Sequence, residues 1–139
     1  MNPDFVDAAE RHWEDSELLL AQQRLANADH LLGLSAECAL KAVMLGLGMT
    51  LKPSGLPEQR RHQVHINKLW DEFQTFAESR GGAHYAAILS HVSAPFDGWD
   101  ISGRYASRAD IGPATVSHHR QGARQARACL QTAMLDGVL

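Results

Sequence analysis

The run HLLGLSAECALKAVMLGLGM, His30 to Met49, limits the fold more than any other stretch of this 139-residue chain. It is almost wholly apolar, yet it holds Glu37 and Lys41, four residues apart. On a helix such a pair shares one face, with the acid first, which is the favoured order. A segment apolar on nearly every side is a central helix, or one that also faces a second subunit. The interior charges mark a buried core helix rather than a membrane span. Its small residues Gly33, Ser35, Ala36 and Ala39 let another helix come close.

The pair has two readings. One is a helical ion pair worth about 0.2–0.5 kcal/mol. The other places it in a groove or interface, where a buried charge must be paired or hydrogen-bonded. If Glu37 faces the arginines of the last helix, it orients a phosphate-binding cleft. If it bonds only Lys41, it is structural.

The rest of the chain is helical in period. A first helix is predicted over Pro3–Arg24, with Asn2 as its cap and its acids mostly on one face. The apolar run predicts a second helix over Ala28–Leu47, with Asn27 as its cap. Residues 48–64 hold two prolines and two glycines and read as a loop. Helices follow over His65–Arg80 and Ala83–Ser93. Pro95–Gly112 reads as a long ordered loop, and Pro113 opens a last helix running to Asp136. No segment alternates, so strands are not expected. The fold class is all-α, an antiparallel up-and-down bundle of four to five helices forming one domain over 1–139. With 45% apolar and 21% charged residues, the composition is that of a globular domain needing no covalent staple.

Cys38 and Cys129 sit in apolar helical contexts and read as small buried hydrophobes in a reducing compartment. The acidic N-terminus MNPDFVDAAE lacks the basic and apolar regions of a signal peptide. The expected setting is cytoplasmic. The charge is uneven: nine acids and four bases in 1–59, seven acids and nine bases in 60–139. A basic rear half permits a local phosphate or nucleic-acid surface. The whole-chain pI of about 6.2 argues against general DNA coating.

Arg120, Arg124 and Arg127 fall at i, i+4 and i+7 of the last helix, hence on one face. They form either a solvated basic face opposite the acidic first helix or a phosphate-binding surface, since arginine grips phosphate bidentately. Arg104 and Arg108 precede that helix, and His118 and His119 lie in its early turns. The eight histidines show neither HExxH nor a partnering CxxC, so no metal site is expected. No histidine follows a glutamate by three residues, which sets aside a ferritin-like metal centre. GxGxxG, P-loop and GxSxG patterns are absent too, and no cofactor is expected.

The stretch AECALKA in the second helix, the order HINKLWDEF, then GRYASR, then a long terminal helix resembles the HEPN superfamily of prokaryotic helical-bundle proteins. The resemblance covers roughly residues 4–135. It implies a homodimer, an RNA- or nucleotide-phosphate-binding role, and a place in a toxin–antitoxin or defence system. A partner of nucleotidyltransferase type is implied for non-catalytic members. Catalytic members are metal-independent RNases that use an arginine and a histidine with four to six residues between. Here Arg104 and Arg108 have thirteen and nine residues between them and His118. Arg60 and His65 have four between, though in another element, and Arg24 and His30 have five. The expectation is that Arg104 and Arg108 contact phosphate, that His118 or His65 is the base, and that Glu37 orients a cleft residue. Arg60, Arg120, Arg124 and Arg127 are further phosphate contacts. The alternative is a non-catalytic homodimeric interaction module.

Overall fold

A computed structural model describes residues 2–139. The described residues form five α-helices and no sheet: α1 Phe5–Ala21, α2 Leu25–Gly46, α3 Ile66–Ser79, α4 Ala83–Leu89 and α5 Pro113–Leu135. The fold is an all-α bundle. α2 is its centre and packs on α1, α3 and α5, while α4 closes the far side against α3 and α5. Leu32, Ala36, Leu40, Val43 and Met44 of α2 are fully or almost fully buried. The apolar girth of this helix is therefore largely used within the chain.

Local chemistry sets the boundaries, and some differ from the sequence expectation. Asp4, not Asn2, caps α1, because its carboxylate accepts the Asp7 N–H at 3.0 Å. α2 starts at Leu25, before Asn27, since Gln23 takes a left-handed φ of 57° and turns the chain at once. α2 ends through Gly48, at φ 100°, with Met49 N–H donating to Met44 O at 2.8 Å. α4 stops at Leu89, short of Ser93, and Ala94 turns at φ 44° just before Pro95. The buried stripe of α3 is Ile66, Leu69, Trp70, Phe73, Phe76 and Ala77, as the spacing predicts.

The 95–112 segment is ordered by two short 3-10 turns, Ile101–Tyr105 and Arg108–Asp110, capped by Asp100 and Ser107. It is pinned at two glycine notches. A Cβ on Gly33 would fall 2.0 Å from the Trp99 indole, and one on Gly122 would fall 2.7 Å from the Phe96 ring. The close approach expected at Gly33 is thus made by a tryptophan, not by a helix. Ser35 does face a helix: its hydroxyl donates to Ala9 O of α1 at 2.8 Å.

Candidate functional site

Glu37 joins α2 to the start of α3. Its Oε1 accepts from Lys41 Nζ at 2.7 Å, and its Oε2 lies 2.9 Å from His65 Nδ1. Both Glu37 and Lys41 are buried, whereas the His65 side chain is 46% exposed. An ionised carboxylate can only accept, so Nδ1 carries the hydrogen and Nε2 is left for other work. Glu37 faces neither the arginines of α5 nor Lys41 alone. It holds the histidine that begins α3.

His30, Glu37 and Lys41, at i, i+7 and i+11, share one face of α2. His12 of α1 and the turn bearing Arg104 border this face. His30 stacks on Trp99 with 5.4 Å between centroids, and Gly103 approaches its Nδ1. Burial lowers the pKa of His12, and the neighbouring Arg11 adds to the effect. Burial also lowers that of His30, with Arg104 next. Both rings are thereby biased to the neutral form. Their Nδ1 atoms are buried without a hydrogen-bond partner among the described residues.

The other predicted residues are dispersed. Arg104 is exposed, its guanidinium 4.8 Å from the Tyr105 ring centroid. Arg108 lines a cavity of about 310 Å³ with Arg24 and the first residues of α2. Arg60 is exposed in a short 3-10 turn, Arg60–His62. His118 is exposed on α5. Among the described residues, no hydrogen bond or ion pair joins Arg104, Arg108 and His118.

The arginine stripe is mostly engaged by α1. Arg120 makes two parallel bonds to Glu17, each 2.7 Å, and Arg127 bonds Glu10 at 2.8 Å. Both guanidinium groups also lie over the Trp13 ring, at 5.5 and 5.1 Å. The hydrogen bond from Arg120 holds the Glu17 carboxyl below its usual range. Arg124 is exposed and has no ion-pair partner among the described residues.

A second histidine–carboxylate pair escaped the sequence reading. His119 Nδ1 lies 2.6 Å from Asp29 Oδ1, with the two residues 2% and 5% exposed. Phe96 stacks on the ring, and Trp99 Nε1 donates to Asp29 O at 3.2 Å. A signal existed: His119 falls on the apolar stripe of Val116, Ala123, Ala126 and Leu130, whereas His118 does not. This buried pair ties α2 to α5 and to the 95–112 segment.

Among the described residues, no group of three or more His, Cys, Asp or Glu could hold a metal ion. No helix of these residues is long and apolar enough to cross a membrane. Both cysteines are free thiols, and burial raises Cys38 to about 11 and Cys129 to about 12. No family model, curated protein or solved structure matches this chain.

Proposed function

We propose that the chain is a HEPN-like helical domain that binds RNA or a nucleotide phosphate and uses His65 to move a proton. The observation behind this reading is the 2.9 Å contact between Glu37 and the half-exposed His65. A carboxylate on Nδ1 fixes the tautomer and stabilises the imidazolium that forms when Nε2 accepts a proton. Metal-independent RNA cleavage needs such a base for the 2′-hydroxyl and a cation for the charge developing on phosphorus. Arg104 borders the same face, and Arg108 with Arg24 offers a second cationic wall for a phosphate chain. A cytoplasmic homodimer acting in a toxin–antitoxin or defence pair, with a nucleotidyltransferase-type partner, belongs to the same proposal.

The test is incubation of the pure protein with labelled RNA in EDTA. Cleavage is expected, and His65→Ala should abolish it while His118→Ala leaves it. If RNA survives an enzyme titration and the Arg104 and Arg108 variants bind it as well as wild type, the proposal is wrong. One observation favours a non-catalytic interaction module instead. Glu17 and Glu10 already occupy Arg120 and Arg127, which removes two cations from any polyanion surface. That reading expects intact RNA and a dimer by light scattering.

A further inference from the structure

At the far end of α3 lies a small polar cavity of about 70 Å³. Met49 and Thr50 at the exit of α2 line it, with Gln59, His62, Phe76 and Arg80. One water needs about 10–15 Å³, so the space takes several waters or one tetrahedral anion. His62 and His65 are three residues apart in sequence but serve opposite ends of α3. That helix is about 20 Å long. His65 begins it, whereas His62 folds back and packs edge-on against Phe76, 5.2 Å between centroids.

His62 is 2% exposed, and its Nδ1 has no hydrogen-bond partner among the described residues. Buried polar nitrogens are rarely left so. Arg80 stacks over the same Phe76 ring at 4.7 Å. Its Nη1 reaches Leu47 O and Gly48 O, each only at 3.4 Å, which leaves most of its donors unused. It has no ion-pair partner among the described residues. Gln59, His62 and Arg80 can each donate a hydrogen bond into the space, and no carboxylate among the described residues lines it. The adjacent acid, Glu58, accepts the Thr50 hydroxyl.

We propose that this cavity binds a small oxyanion of phosphate size, held by the Arg80 guanidinium and by His62 as an N–H donor. Guanidinium offers the fork geometry and permanent charge that an oxyanion requires. The anion would complete the orphaned imidazole and give Arg80 its missing counter-charge. This site is independent of the RNA reading. The chemistry fits free inorganic phosphate and a terminal phosphate monoester alike.

The experiment is a titration of the full chain with inorganic phosphate, read by the ring nitrogen signals of His62. A saturable shift is expected, with affinity roughly tenfold or more weaker in Arg80→Gln. Arg80 is exposed, so that variant should fold. Phosphate should raise the thermal midpoint of wild type but not of Arg80→Gln. Competition by a 5′-phosphorylated oligonucleotide, and not by its 5′-hydroxyl form, would assign a chain terminus as the source. Response to inorganic phosphate alone would assign the free ion. Unmoved His62 signals, or a non-saturating shift equal in both proteins (an adventitious ion only), would overturn the proposal.

Discussion

Glu37 and His65 are 28 residues apart in sequence and 2.9 Å apart in space, with Lys41 on the carboxylate's other oxygen. Replacing Glu37 by Gln keeps the shape and removes the charge. It leaves the Lys41 ammonium buried beside a neutral amide. Removing one partner of a buried pair is costly, so the loss should be about 3 kcal/mol in urea unfolding. The double variant Glu37→Leu/Lys41→Met should recover most of that stability. It should not recover RNA cleavage, because His65 still lacks its carboxylate. Recovery of both would show that Glu37 acts only as a structural partner.

Gly33→Ala should be damaging out of proportion to one methyl group. The added carbon would enter the Trp99 indole, which cannot yield without leaving its bond to Asp29 O. Overpacking of this kind costs about 1–3 kcal/mol. The indole N–H resonance of Trp99 should shift or broaden, while those of Trp13 and Trp70 stay put. An unchanged Trp99 signal would mean that the notch is not a constraint.

The arginines of α5 should separate by partner. A double-mutant cycle on Glu17 and Arg120 should give a coupling below about 1 kcal/mol, since both side chains are over a quarter exposed. Arg124→Ala should leave stability within about 0.5 kcal/mol of wild type and weaken RNA binding. Arg120→Ala should instead destabilise the α1–α5 contact and leave binding nearly intact. Equal binding losses for the two would mean that Glu17 does not sequester Arg120 in solution.

Stability should fall as the pH drops below the ordinary histidine value of 6.5. His12, His30 and His62 all lie below that value in the bundle, with burial as the main cause. Above 6.5 neither the folded nor the unfolded chain holds these protons. Below it the unfolded chain takes up protons that the bundle refuses, until the folded rings titrate as well. Urea midpoints measured downward from neutral pH should decline, and His30→Gln should make the decline shallower. An unchanged slope in that variant would remove His30 from the account.

The helices were legible because their spacing repeats. Pro113 announced α5, and the Ile66–Phe76 stripe announced α3. The boundaries that shifted did so where backbone turns decide. Nothing in the residue type of Gln23 or Ala94 foretells a left-handed φ. The site was half legible. Glu37 and His65 could each be singled out, but their meeting depends on how the 48–64 segment returns to α2. The same long-range return hid the Asp29–His119 pair, whose members are 90 residues apart. The arginine stripe was visible, yet its engagement depended on the face that α1 turns toward α5.

One consequence reaches back to the moment of synthesis. Asp29 and Glu37 leave the ribosome on α2 well before His65 and His119 exist. For that interval the greasiest stretch of the chain has one carboxylate inside it, Glu37, and one at its edge, Asp29, whose distant partners are missing. Each such charge is expensive in hydrocarbon and disfavours self-association of an apolar segment. The acids that later lock the bundle shut are thus charges of the gatekeeper kind, which oppose insertion and self-association of an apolar segment while its partners are still unmade.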